Sequence, residues 1–236
     1  MTTHRSAILI VFASLASAFA APRTPAEDAP PAPSRVRQPG TSRTATTKPQ
    51  GPTAIAGKPG VTFAGESVPA SRVVFCCDAS GSMVFKFDTL RHALRTSIAA
   101  LLPNQSFDLV FFTADGFRRF GKSPVPATEE NKRHADEFLK RTSAHGSADP
   151  IAGLRAAFAA APDTVFLLTD GDFPDNAAVL REIRTLNAAR RVTVHTIAYD
   201  AHGKDNGETY EALLQSVAKE NGGRYRFITE QELAAE

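Results

Sequence analysis

The chain has 236 residues and is 42% hydrophobic, which suits one globular domain with appended segments better than two full domains. Its 27 Lys and Arg residues nearly balance 25 Asp and Glu residues, so the formal net charge is only +2. Because binding to a nucleic-acid backbone needs concentrated positive charge, this balance argues against nucleic acid as a partner.

The amino terminus has the pattern of a secretory signal peptide. A short polar start containing Arg5 precedes an apolar stretch over residues 7–15, and Ala18 and Ala20 supply small residues where a signal peptidase requires them. We therefore expect a signal peptide over residues 1–20, cleavage after Ala20 and a secreted or periplasmic product. The apolar stretch is shorter than the ~20 residues that span a bilayer, so we expect no transmembrane span after cleavage.

Residues 21–70 are predicted to form a disordered linker rich in Pro, Thr and Ala. Residues 21–60 contain nine of the sixteen prolines, and Val36 and Ile55 are their only Val, Ile, Leu, Met or Phe residues. Such a segment cannot bury enough apolar surface to offset the entropy lost on ordering. Its four arginines offer a means of association with an anionic envelope, beside the plainer role of a solvated tether.

From residue 71 onward, predicted strands alternate with predicted helices. Continuous apolar runs that end at polar residues indicate strands covered on both faces, namely residues 72–77, 106–113, 164–169 and 192–199. Apolar residues at helical spacing indicate amphipathic helices between the strands, and the turn at Asp115-Gly116 indicates an antiparallel edge strand. Residues 71–236 are therefore predicted to form an α/β domain. We expect a doubly wound, Rossmann-like, mostly parallel six-stranded sheet with one short antiparallel edge strand and helices on both faces.

The only two cysteines, Cys76 and Cys77, are adjacent within the first of these strands. Neighbouring residues of a strand point to opposite faces, so a disulfide between them would strain the backbone. We expect two buried free thiols that pack as small apolar side chains.

Two of the buried strands end in loops that carry acidic side chains. The sequence DASGS follows the first strand, and TDGD ends another. Ligands of an open parallel sheet bind outside the carboxyl ends of its strands, so Asp78 and Asp170 are expected to converge there if both strands are central. Carboxylates interleaved with the hydroxyls of Ser80 and Ser82 suit Mg²⁺, or Mn²⁺ as a replacement, with waters completing the octahedron.

The DASGS sequence after an apolar strand resembles the metal-ion-dependent adhesion site (MIDAS) of von Willebrand factor type A (vWA) domains. In that family an Asp-x-Ser-x-Ser loop, a Thr of a second loop and an Asp of a third loop surround one divalent cation. The resemblance covers roughly residues 72–227 and implies that the metal ligands are Asp78, Ser80, Ser82 and Asp170.

The second loop departs from the family pattern, because Ala148 stands where the metal-facing Thr is expected. Other residues are candidates for the metal site or its rim: Ser147, Asp149, Asp172, His145 and Phe85. Each of them also has a plainer interpretation, such as a helix start for Asp172, an ordinary loop position for His145 and core packing for Phe85.

The resemblance implies an exported interaction domain that binds an acidic residue of a protein partner through Mg²⁺. The chain has no Gly-x-Ser-x-Gly elbow and no phosphate-binding glycine-rich loop with a Lys, and no nucleophile is paired with a base, so we do not expect an enzyme. Two alternatives stay open. One is a structural envelope domain with a degenerate, metal-free site, and the other is a metal-dependent hydrolase or phosphotransferase.

Overall fold

The computed structural model describes residues 59–171, 173–199 and 208–235. The predicted signal peptide, the linker up to residue 58 and the candidate residue Asp172 lie outside this part of the chain. Among the described helices, none combines the length and the apolar character needed to cross a membrane.

The described residues form a central seven-stranded sheet and a separate two-stranded hairpin. The hairpin consists of β1 (Gly60–Phe63) and β2 (Glu66–Pro69). The strands of the main sheet are β3 (Arg72–Asp78), β4 (Ser106–Thr113), β5 (Gly116–Arg119), β6 (Val125–Pro126), β7 (Thr164–Thr169), β8 (Thr193–Tyr199) and β9 (Tyr225–Ile228).

The order of the main sheet is β5-β4-β3-β7-β8-β9, and the short β6 also pairs with β4. Neighbours among β4, β3, β7, β8 and β9 are parallel, whereas β5 and β6 run antiparallel to β4. The predicted α/β class, the parallel centre and the antiparallel edge strand are confirmed. The sheet has seven strands instead of six because the two-residue β6 adds a second antiparallel strand.

The described residues contain six α-helices, of which the first five lie between strands and the last follows the final strand. They are α1 (Phe87–Ala100), α2 (Glu129–Lys140), α3 (Ile151–Ala159), α4 (Asn176–Leu186), α5 (Glu208–Glu220) and α6 (Glu230–Ala234). The side chains of Thr128 and Asp175 accept hydrogen bonds from the first turns of α2 and α4, which satisfies backbone donors that have no partner within the helix.

Alternation along each strand divides the core between the two faces of the sheet. In β3, Val73, Phe75 and Cys77 face the core that contains α1, α2 and α6, whereas Val74 and Cys76 face the core that contains α3, α4 and α5. Both thiols are buried and free, as the strand periodicity predicts. Burial raises the pKa of each thiol well above its usual value, which keeps both groups protonated and unreactive at neutral pH.

The predicted linker boundary at residue 70 is wrong, because residues 60–69 form the β1–β2 hairpin and belong to the domain. Val61, Phe63 and Val68 are buried in the same core as α1. The Phe63 ring packs edge-on against Phe75 of β3 and Phe166 of β7, with centroid distances of 5.1 and 5.5 Å. Four buried residues in ten, one of them the small Ala64, are too few to stand out in a segment rich in Pro and Gly, although Val61 and Phe63 do show the alternation of a strand.

The hairpin is fastened at the amino ends of the parallel strands. The Gln105 side chain, which precedes β4 and is buried, donates hydrogen bonds to the carbonyl oxygens of Ala70 at 2.8 Å and Gly60 at 3.3 Å. The Ala70 amide donates to the Pro59 carbonyl at 3.0 Å. The hairpin is therefore bound by polar contacts as well as by its apolar face.

We predict that Phe63→Ala destabilises the domain by about 3–5 kcal/mol, the usual cost of deleting a buried aromatic ring. Urea denaturation followed by circular dichroism measures the loss. Phe85→Ala is the matched control, because the Phe85 side chain is 93% exposed and its removal should change stability by no more than about 0.5 kcal/mol. Equal stabilities of the two variants would contradict the assignment of residues 60–69 to the folded domain.

Candidate functional site

A cavity opens between the carboxyl ends of β3 and β7, where the order in which strands are added to the sheet changes direction. After β3 the chain adds β4 on one side, and later adds β7 on the other, so the carboxyl ends of β3 and β7 flank the position where ligands bind in such sheets. The cavity has a volume of about 240 Å³. Its lining residues come from three loops and are Asp78, Ser80, Ser82, Gly146, Ser147, Ala148, Asp170 and Gly171.

Asp78, the last residue of β3, is fully buried and is held by neutral donors from two loops. One carboxylate oxygen, Oδ1, accepts the Ser80 amide at 2.8 Å, and Oδ2 accepts the Thr169 hydroxyl at 2.7 Å. Burial raises the pKa of Asp78, while these hydrogen bonds act in the opposite direction. A cation in the cavity would favour the ionised carboxylate further.

The two serines link the first loop to the third. Ser80 Oγ and Ser82 Oγ are 3.0 Å apart, and Ser82 Oγ donates to Asp170 Oδ1 at 2.7 Å. The oxygen atoms of Ser80, Ser82 and Asp170 therefore form a continuous row along the cavity. The alternate spacing of the two serines in the sequence predicts that they share one side, and the structure brings them together.

Lys86 takes a place at the site for which sequence reasoning assigned no role. Its Nζ lies 2.7 Å from Asp170 Oδ2, and the Lys86 and Asp170 side chains are 15% and 3% exposed. A 3₁₀ turn at Gly81–Met83 leads into α1, so Lys86 follows Ser82 by about one helical turn and reaches the same carboxylate. The four-residue spacing between Ser82 and Lys86 is the sequence feature that could have indicated that the two side chains lie close together.

The second loop is fixed against the first by backbone hydrogen bonds. The Gly81 amide donates to the Gly146 carbonyl at 2.8 Å, and the His145 amide donates to the Ala79 carbonyl at 2.8 Å. A Cβ atom on Gly81 would lie 3.0 Å from that Gly146 oxygen, and Gly146 has a φ of +69°. Glycine at both positions thus permits the close approach of the two loops.

The structure brings only some of the second-loop candidates to the cavity. Ser147 lines the cavity, and so does Ala148, which occupies the position where the family pattern has a Thr. Asp149 does not line the cavity. Its Oδ1 instead accepts a hydrogen bond at 2.9 Å from the amide of Ile151, the first residue of α3. His145 lies instead on a neighbouring cavity of about 200 Å³.

Phe85 lies between Ser82, which lines the cavity, and Lys86, which pairs with Asp170. With 93% of its side chain exposed, it does not pack into the core, and the preceding Val84 is 49% exposed. The structure therefore leaves two consecutive apolar side chains in solvent, two and three residues after Ser82 in the chain.

The donor set fits a hard divalent cation with incomplete protein ligation. Within the described part of the chain, no cluster of three or more His, Cys, Asp and Glu side chains is present, so a cation here would have two carboxylates and two hydroxyls. Adjacent ligands of octahedral Mg²⁺ lie about 2.9 Å apart, given metal–oxygen distances of about 2.0–2.1 Å. The 2.7 and 3.0 Å separations in the oxygen row are ordinary hydrogen-bond lengths and are short enough for these oxygens to share one cation.

We predict that Thr169→Val destabilises the domain by about 1–3 kcal/mol, because the buried Asp78 carboxylate loses a donor while the side-chain shape is kept. Denaturation in urea at pH 7 measures the change. Thr62→Val is the matched control, since Thr62 is exposed and donates only to Ser67 Oγ at 3.2 Å. If both variants are equally stable, the Thr169 hydroxyl does not support Asp78.

Comparison with known proteins agrees with this architecture. A family model described as the von Willebrand factor type A domain matches residues 71–227. The solved von Willebrand factor type A structure from Catenulispora acidiphila superposes with a TM-score of 0.58 at 23% identity, covering 72% of this chain and 41% of that chain. At this identity the likeness supports the fold alone.

Two curated relatives are longer proteins. The uncharacterized protein YfbK of Escherichia coli K12 is 24% identical over an alignment of 174 residues that covers 69% of this chain and 29% of that protein. Inter-alpha-trypsin inhibitor heavy chain H1 of Mesocricetus auratus is 27% identical over an alignment of 173 residues that covers 65% of this chain and 18% of that protein. The chain thus spans less than a third of the length of either relative. With more than half of its residues matched by the family model, the chain belongs to the von Willebrand factor type A domain family.

Proposed function

We propose that this vWA domain binds a protein partner through a divalent cation, Mg²⁺ or Mn²⁺, held at the carboxyl ends of β3 and β7. Domains of this family are generally protein-interaction domains. The observation that carries the proposal is the convergence of Asp78, Ser80, Ser82 and Asp170 on one cavity at the switch point of the sheet.

The cation would be held by the hydroxyls of Ser80 and Ser82 and by the two carboxylates. When bound, Mg²⁺ supplies a coordination position that an oxygen ligand from outside can occupy. Two carboxylates balance its charge, and Ala148 contributes no hydroxyl, so the site leaves room for a further oxygen ligand. An Asp or Glu side chain of the partner meets that requirement.

Phe85 supports a partner of mixed character. The exposed Phe85 and the half-exposed Val84 closely follow the cavity-lining Ser82 in the chain, and we propose that they offer apolar contact to the segment that carries the acidic ligand. We therefore propose a partner segment in which an acidic residue is next to an apolar one. The signal-peptide pattern supports a secreted or periplasmic location for this encounter.

A metal-free structural domain is the second candidate function. The observation in its favour is the ion pair between Lys86 and Asp170, since this pair already balances one of the two carboxylates. An enzyme remains outside the proposal, because the described residues that line the cavity include no activated nucleophile. The Ser82 hydroxyl donates to a carboxylate that is itself paired with Lys86.

We predict that the full-length protein binds Mn²⁺ and Mg²⁺ with one ion per chain and that Asp78→Asn abolishes binding, because the variant removes one of the two negative charges. Isothermal titration calorimetry after EDTA treatment and dialysis measures this. Asp136→Asn is the matched control, as Asp136 lies on α2 and pairs with Arg95 and Lys140. Failure of the wild-type protein to bind either ion would leave the metal-free structural domain as the function.

We predict that a partner retained from the native envelope fraction is released by EDTA and is not retained by Asp78→Asn. Phe85→Ala should weaken retention at least several-fold while leaving Mn²⁺ affinity unchanged, because Phe85 contributes contact area and no metal ligand. Quantitative pull-down with increasing amounts of immobilised protein provides the measurement. Retention that is insensitive to EDTA and to Asp78→Asn would contradict a metal-mediated contact.

A further inference from the structure

We propose that Lys86 sets the cation affinity of the site and the charge that the loaded site presents to its partner. This inference rests on the proposed cation binding and adds a residue outside the set of oxygen ligands. The Lys86 ammonium group and the divalent cation share one carboxylate, that of Asp170, and each therefore affects how strongly the other is held.

The two oxygens of Asp170 already have different partners. Oδ1 accepts the Ser82 hydroxyl at 2.7 Å, on the side of the oxygen row, and Oδ2 lies 2.7 Å from Lys86 Nζ. A cation held in the cavity would compete with the first of these contacts and would leave the second available. Asp170 would then serve both the cation and the ammonium group, with two positive charges close to one carboxylate.

Lys86 is held in this position by more than its ion pair. Its backbone carbonyl accepts the Tyr199 hydroxyl at 3.1 Å, and its Nζ lies 5.6 Å from the centre of the Tyr199 ring. Tyr199 is fully buried at the end of β8, and only 15% of the Lys86 side chain is exposed. The ammonium group therefore does not move freely into solvent when a second positive charge arrives.

The charges of the site show what Lys86 changes. Among the described residues of the site, Asp78 and Asp170 together carry two negative charges, and Lys86 reduces the total to one. A bound divalent cation then gives the site one net positive charge, whereas without Lys86 the loaded site would be neutral. Lys86 thus weakens cation binding by like-charge repulsion and strengthens the attraction for a partner's carboxylate.

A purely structural lysine would behave differently. The Asp170 side chain is 3% exposed, so removing its partner costs stability in either case. Only a lysine that competes with the cation makes metal binding tighter when it is neutralised. The metal affinity, measured apart from the stability of the metal-free protein, separates these two roles.

The test titrates Mn²⁺ alone into the full-length wild-type protein and into Lys86→Met, Lys86→Gln and Lys86→Arg, with calorimetry and the electron paramagnetic resonance of free Mn²⁺. Lys140→Met controls for overall charge, because Lys140 is 63% exposed on α2, where it pairs with Asp136. We expect Lys86→Met and Lys86→Gln to bind Mn²⁺ roughly tenfold more tightly, as expected for removing a positive charge a few ångströms away. Lys86→Arg and Lys140→Met should match the wild type.

Melting temperature gives a second readout. In EDTA, Lys86→Met should melt below the wild type because Asp170 has lost its partner, and Mn²⁺ should raise its melting temperature by more than it raises that of the wild type. If Lys86→Met does not fold, Lys86→Gln, which can still hydrogen-bond to Asp170, decides the question.

Each outcome bears on one proposal or both. Equal or weaker Mn²⁺ binding by the neutral variants, with clear binding by the wild type, overturns the role of Lys86 and leaves the cation site intact. If Lys86→Met and Lys86→Gln bind Mn²⁺ and the wild-type protein does not, the role of Lys86 is supported and cation binding by the wild-type protein is overturned. Absence of binding in every variant overturns both.

Discussion

The arrangement of the loops at the carboxyl ends of β3 and β7 depends on the buried carboxylate of Asp78. A carboxylate that is buried at the end of a central strand must find hydrogen-bond donors nearby, because an unpaired buried charge is costly. The Ser80 amide and the Thr169 hydroxyl meet that need from the first and third loops, and the Gly81–Gly146 contact adds the second loop. The hydrogen bonds to Asp78, together with this backbone contact, hold the three loops around one cavity.

The two carboxylates of the cavity are stabilised in different ways. Asp78 has neutral donors and a raised pKa, whereas Asp170 has a lysine at 2.7 Å. A cavity with two unbalanced carboxylates would strain the metal-free domain, and one with two lysines would repel any cation. The single Lys86 lies between these extremes, and this is why we propose that the same arrangement serves both a stable metal-free fold and an exchangeable ion.

Periodicity made the main sheet predictable, since strands buried on both faces read as unbroken apolar runs, as in β4 and β7. The meeting of Asp78 with Asp170 followed from the rule that parallel strands end at one edge. The hairpin was missed because Val61 and Phe63 gain their stability from Phe75 and Phe166, which are distant in sequence. The Lys86–Asp170 pair was missed for the same reason. The spacing between Ser82 and Lys86 indicates that the two residues lie on the same side of the chain, but it does not identify the distant carboxylate with which Lys86 pairs.

The place where the hairpin joins the domain has a mechanical consequence. Residue 59 meets the fold at the amino end of β3, whereas the cavity opens at the carboxyl end, about 20 Å away for a seven-residue strand. Tension between the preceding chain and a partner bound at the cavity would act along β3. The hairpin would carry this load first, and the hydrogen bonds of β3 to β4 and β7 would then resist together in shear.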